Sequence, residues 1–253
     1  MSKQSSRDSR RQRLEQERKA QQRRKRHIRI AAIGGAVVVA AGIAVGVTLG
    51  VSGGSPATSA GYAPLSTLGA LHPASPAGPL GPEAVPIPQA PALASAATAA
   101  TGQPVDGISC DTSEQTLFHI HTHLTIFVNG AARQVPAAIG IPGAVAQQTQ
   151  AGPFIGSGDC FYWLHTHAAD GIVHIESPVQ RTYTLGQFFD EWGQPLGPDA
   201  VGPAHGHVTV LVDGKVFTGN PRDVLLNKHS EIQLEVGTPL VAPVSISWAN
   251  TGL

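Results

Sequence analysis

The chain has 253 residues and no net formal charge at pH 7, but the neutrality hides an asymmetry. Residues 1–29 hold 12 of the 17 basic and 3 of the 17 acidic residues, which leaves the remainder at −9 with histidine counted neutral. A basic tail with no aromatic residues and no partner fold argues against a nucleic-acid reader, and its place beside an apolar run makes it a membrane topology signal instead.

Residues 1–29 are polar throughout and read as a short disordered cytoplasmic tail. Residues 30–51 are 22 uncharged, mostly apolar positions. As a helix they would span roughly 33 Å, enough for a bilayer core. Arg23, Arg24, Lys25, Arg26 and Arg29 precede the run, and the next basic residue is Arg133. The positive-inside rule then places the N-terminus in the cytoplasm and everything after residue 51 outside, in a single pass. The alternative is a signal peptide cleaved near Thr58-Ser59-Ala60; the length of the run favours an uncleaved signal-anchor. Membrane lipid is therefore an expected partner through residues 30–51.

Residues 52–105 are Ala, Pro, Ser, Thr and Gly with one charge, Glu83, and ten of the chain's 20 prolines. The expectation is a disordered, semi-extended linker that holds the next domain away from the membrane and can touch the cell wall. Residues 106–253 make the folded domain: both cysteines, all three tryptophans and all but two of the histidines lie there.

The segment TLFHIHTHLTIFVNG (116–130) alternates strictly. Phe118, Ile120, Leu124, Ile126 and Val128 share one face of a strand, and His119, His121 and His123 share the other. Asn129-Gly130 is the commonest two-residue hairpin turn. HTHLTIFVNG (121–130) aligns without gaps on HGHVTVLVDG (205–214), which matches His121 to His205 and His123 to His207. Next, CFYWLHTH (160–167), AADG (168–171) and IVHIE (172–176) read as strand, turn and strand. A regular hairpin pairs His165 with His174 and Trp163 with Glu176, so His165, His167 and His174 share a face.

TYTLGQFFDEWG (182–193) has capping-box spacing at Thr184 and Gln187 and apolar residues at Leu185, Phe188, Phe189 and Trp192. That predicts a short amphipathic helix closed by Gly193. Asn220-Pro221 can open another short helix. Residues 231–236 alternate as a strand, and 244–248 read as one more. The expected fold class is α+β and mainly β: an antiparallel sheet of hairpins with one or two short helices.

Three histidine groups carry the chemistry. Imidazole is the commonest metal ligand, and two rings spaced i, i+2 on one strand face can converge on one ion. The candidate ligands are His121, His123, His165 and His167, then His174, His119, His205 and His207. Zinc and copper(II) both accept imidazole sites, and the only methionine is Met1, which argues against thioether capture of copper(I). Glu176, Asp170 and Glu114 are candidate carboxylate partners, and Glu176 or Asp170 would be the base of an enzyme; Asp170-Gly171 is also ordinary turn chemistry. Cys110 and Cys160 outside the membrane favour a disulfide, with thiolate ligation beside His165 and His167 as the alternative.

The segments FHIHTHLTIFVNG, IGIPG, CFYWLHTHAADGIVHIESP and TLGQFFDEWGQPLG resemble those of a group of His-rich, membrane-anchored or secreted prokaryotic proteins over most of residues 110–200. The resemblance implies an extracytoplasmic domain and brings no activity with it. The His119-x-His121-x-His123 run is also similar, over about seven residues, to that of histidine-triad nucleotide hydrolases, but departs from it at Thr122 and Thr125. The leading expectation is a membrane-anchored extracytoplasmic protein that binds zinc or copper(II). A metal-dependent hydrolase or oxidoreductase, and a structural cell-envelope or partner-binding module without metal, are the alternatives.

Overall fold

Among the described residues, eight strands form the sheet on which the others pack. They are β1 (Tyr62–Ala63), β2 (Phe118–Val128), β3 (Ala131–Arg133), β4 (Leu164–His165), β5 (Ile172–Ser177), β6 (Val208–Val212), β7 (Lys215–Phe217) and β8 (Glu231–Val236). Their order is β1-β7-β6-β8-β2-β5-β4, with β3 also paired to β2. The computed structural model describes residues 60–75 and 77–253. The expected cytoplasmic tail and membrane helix lie outside the described residues. Among the described residues no helix is long and apolar enough to cross a membrane.

Turn chemistry fixes two of the hairpins. Asn129 and Gly130 have φ of 51° and 75°, and Asp213 and Gly214 have φ of 51° and 72°. Positive φ at both central residues matches the turn to the right-handed twist of its strands. The two aligned segments of the sequence are therefore β2-β3 and β6-β7, one on each side of β8. All pairings in this sheet are antiparallel except β2 with β8, which is parallel.

Alternation gives the sheet two different faces. Leu124, Ile126, Val173, Ile175, Leu164, Val210, Ile232 and Leu234 point to one side and are almost fully buried. The helix α1 (Leu185–Trp192) covers that side with Leu185, Phe188, Phe189 and Trp192, all at 0% exposure. Each such side chain contributes roughly 2 kcal/mol through burial. Both halves of the capping box are present: Thr184 Oγ1 accepts from Gln187 N at 3.3 Å, and Gln187 Oε1 accepts from Thr184 N at 3.1 Å. Gly193 ends the helix in the left-handed conformation at φ 68°. Cys110 and Cys160 form a disulfide that closes a loop of 50 residues beside the pairing of Cys110 with Tyr162. In the chain-entropy model such a loop is worth about 4 kcal/mol.

The boundary expected at Asp106 does not hold. Residues 60–75 and 77–105, expected as most of a disordered linker, belong to the fold. Tyr62 pairs with Phe217, Leu93 N donates to Gln134 O at 2.9 Å, and Ser95 O accepts from Trp192 Nε1 at 3.0 Å. Val85 is fully buried, and Glu83 and Leu93 are nearly so. Composition misled because a Pro- and Ala-rich strand has too little apolar surface to fold alone. Laid on a sheet that already exists it needs few hydrogen bonds of its own, since proline has no N–H to satisfy.

Residues 136–158 contain an exposed hairpin of Val145–Thr149 with Gly152–Ser157. One further expectation changes. Residues 244–248, expected as a strand, form none. Val244 N donates to Gln233 Oε1 at 2.9 Å and Ile246 N to Glu231 Oε1 at 3.2 Å, so side chains of β8 take the place of a neighbouring strand. Glu235, on the same face of β8, accepts from Gln233 Nε2 at 2.6 Å and from Val241 N at 3.2 Å. Burial pushes its carboxyl up to about 7, against those two hydrogen bonds.

A chain that starts at Asp106 should lose cooperative unfolding, or melt at least roughly 10 °C below one that starts at Pro56, when thermal unfolding is followed by circular dichroism. Equal midpoints would restore the linker. For Glu235 the sign follows from its raised pKa. Between the ordinary carboxyl range and pH 7 the unfolded chain gives up this proton while the folded chain keeps it, so stability falls as pH rises and is flat above that window. The gain in melting temperature of Glu235→Gln over the parent should therefore grow from pH 5 to pH 7.

Candidate metal centre

Opposite the helix, the register of three strands collects imidazoles. His119 and His121 of β2 pair with Glu176 and His174 of β5, and His174 pairs in turn with His165 of β4. Cross-strand partners share a face, so one row of side chains runs across three strands. His167 lies just past β4, and its ring stands 4.8 Å from that of His165. His121, His165, His167, His174 and Glu176 are all buried, whereas His119 keeps 40% of its side chain exposed.

The contacts are short and nitrogen faces nitrogen. His119 Nε2 is 3.0 Å from His121 Nε2, and His165 Nε2 is 3.1 Å from His167 Nε2. Glu176 Oε1 lies 3.0 Å from His119 Nε2, 3.3 Å from His174 Nδ1 and 4.0 Å from His165 Nε2. Donors around a tetrahedral zinc at 2.0–2.1 Å stand about 3.3 Å apart, so these separations suit a shared ion.

Backbone carbonyls decide which nitrogens are free. His165 Nδ1 donates to Tyr162 O at 2.7 Å, and His167 Nδ1 donates to Ile155 O. A carbonyl oxygen only accepts, so each Nδ1 carries the proton and each Nε2 of the neutral ring presents a lone pair. Burial and the neighbouring His174 favour the neutral form of both rings, most strongly for His165. Two buried lone pairs then face each other with no hydrogen between them. His174 shows the same pattern from the other nitrogen: its Nε2 meets Glu83 Oε1 at 2.7 Å. An oxygen acceptor behind the ring is the arrangement that orients a metal-ligating histidine.

Charge in the cluster is uneven. Burial, then His174, lowers His121 to about 3. Burial opposes protonation of His174 too, but its hydrogen bonds to Glu176 and Glu83 win and raise it to about 9. Glu83 Oε2 and Glu176 Oε2 are buried without a hydrogen-bond partner among the described residues. The donors form two groups, His119/His121/His174/Glu176 and His165/His167/His174/Glu176, and within each the ligand atoms lie within 4.8 Å of one another. The cluster could hold a metal ion.

No family model, no curated protein and no solved structure matches this chain. The site's own chemistry has to carry the functional reading.

Other expected ligands lie elsewhere. His123 is buried, but its Nδ1 meets Glu231 Oε2 at 2.9 Å and its Nε2 meets Asp170 O at 3.1 Å, so both nitrogens are engaged outside the cluster. His205 and His207 are exposed beside β6 and do not reach the cluster. The repeat preserves the strand pattern, but β8 separates β6 from β2. Asp170 Oδ1 accepts from Ile172 N at 3.1 Å, which is its turn role, and burial raises its carboxyl to about 7. Glu114 Oε1 stands 3.5 Å from His167 Nε2 at the rim. The cysteines are in the disulfide, so thiolate ligation is excluded.

Glu83 is the functional residue that sequence reasoning missed. It is the single charge in residues 52–105, and that isolation was the available signal. In metal-free protein, Glu83→Gln should bring the pKa of His174 down from about 9, because one of its two carboxylate partners is gone. A side-chain NMR titration of the histidines measures this; an unmoved His174 would show that Glu83 does not act on it.

Proposed function

We propose that this chain is a membrane-anchored, extracytoplasmic binder of zinc or copper(II), with the buried histidine cluster as its metal centre. The carrying observation is the pair His165 Nε2 and His167 Nε2, whose lone pairs face each other at 3.1 Å while both Nδ1 atoms donate to carbonyls. A cation between them turns a repulsive contact into two bonds. Imidazole with carboxylate suits both metals, and the lack of any methionine after Met1 argues against copper(I). Each group offers four protein donors in a buried setting, which suits holding an ion, and hence storing, buffering or sensing it, better than open catalysis. The burial of His121, His165, His167 and His174 counts against a metal-free module that carries its histidines on the surface.

Placement outside the membrane is supported by the apolar run at 30–51, the basic residues before it, the disulfide and the resemblance to membrane-anchored or secreted proteins. Contact with lipid through residues 30–51, and with the cell wall, belongs to the same reading, and nucleic acid has no part in it.

Replacing the two donors common to both groups, His174→Ala with Glu176→Ala, should weaken the tightest zinc binding by at least about 100-fold. Competition with a chromophoric chelator on the full-length chain measures it. Equal zinc affinity in parent and variant overturns the reading.

A further inference from the structure

We propose that the cluster is a two-ion centre. One ion sits between His119 and His121 and the other between His165 and His167, and the Glu176 carboxylate bridges them. The inference rests on the metal-binding reading above and goes beyond it in count and arrangement.

The donor set is too large for one tetrahedral ion. Four imidazoles are arranged as two close Nε2 pairs, at 3.0 Å and 3.1 Å, and the two groups have only His174 and Glu176 in common. An ion placed in either group leaves the other pair of nitrogens face to face. Glu176 is built to be shared. Its Oε1 is 3.0 Å from a nitrogen of the first pair and 4.0 Å from one of the second, and its Oε2 has no partner among the described residues. A carboxylate that gives one oxygen to each of two ions accounts for both facts, at the separation of about 3.5–4 Å usual for paired metals.

His174 lies between the pairs, with ring centroids 4.5 Å from His121 and 4.5 Å from His167. Glu83 holds its Nε2, which leaves Nδ1, on the Glu176 side, to complete the coordination of one ion. Glu114, 3.5 Å from His167 Nε2, is within reach of the other. Charge agrees: three carboxylates converge where the described residues supply no Lys or Arg partner, and two divalent ions offset them.

Metal content per chain is the test, made on the full-length protein loaded with zinc and freed of excess. The parent should hold two zinc ions. His119→Ala with His121→Ala should hold one, and His165→Ala with His167→Ala should hold one. His205→Ala with His207→Ala should still hold two. A count of one in the parent overturns the pair and leaves the single-ion reading standing; a count of zero overturns both. A fall to one in the His205/His207 variant would assign the second ion to the surface and overturn the pair. The parent alone supplies a second readout, independent of how the variants fold. Loaded with copper(II), it should give a spin-coupled electron paramagnetic resonance spectrum whose intensity falls short of its copper content. An uncoupled spectrum of full intensity overturns the bridge.

Discussion

His121, His174 and His165 stand side by side because β2, β5 and β4 pair in one register. A slip of one residue in either pairing would send a whole strand's side chains to the opposite face, histidines into the core and isoleucines out of it. The apolar face therefore guards the polar one. Ile120, Ile175 and Leu164 must meet beneath the helix, and as long as they do, the imidazoles meet above. Two short turns add to the constraint. Asn129-Gly130 closes one hairpin, and Asp170 bonds its oxygen to Ile172 N at the start of β5.

The sheet is buried on both sides, and the two burials differ in kind. Beneath, aromatic and aliphatic side chains exclude water, and Glu191 of the helix is buried with neither carboxyl oxygen hydrogen-bonded among the described residues. Above, polar side chains are covered by extended segments from distant parts of the chain: 72–91, the Val145–Ser157 hairpin region and 241–248. Burying such groups is costly unless they are bonded, and most are bonded to one another or to backbone. The unbonded carboxyl oxygens on this side lie at Asp170, in its turn, and at Glu83 and Glu176, which stand with the facing nitrogens inside the histidine cluster. A cation there completes the polar layer, so the metal would serve the fold as well as the function.

The segment 60–105 ties these points together. It adds β1 at the far edge of the sheet and a carbonyl for Trp192, and it carries Glu83 onto His174. The segment is rich in proline, which has no N–H to satisfy, so it lies over polar side chains with few hydrogen bonds of its own. Its one charged side chain ends 2.7 Å from the ring that both donor groups share.

Local rules made much of this legible from the sequence. Alternation at 118–128 placed the histidines of β2 on one face, the two turn dipeptides set two hairpins, the AADG turn set the His165–His174 pairing, and the capping box set the helix from Leu185. These features depend on neighbours within a few residues, so periodicity and turn chemistry suffice. Tertiary structure alone decided which of the separate histidine groups meet. His205 repeats the spacing of His121 and still lies outside, because strand order put β8 between the two copies. His123 shares the face of His121, yet Glu231 on the parallel neighbour and the Asp170 carbonyl take both its nitrogens. Glu83 enters from a stretch whose composition resembles an unfolded spacer. Strand order, the partner of an edge strand and the docking of a proline-rich segment are long-range choices, set by surfaces that exist only once the sheet has formed.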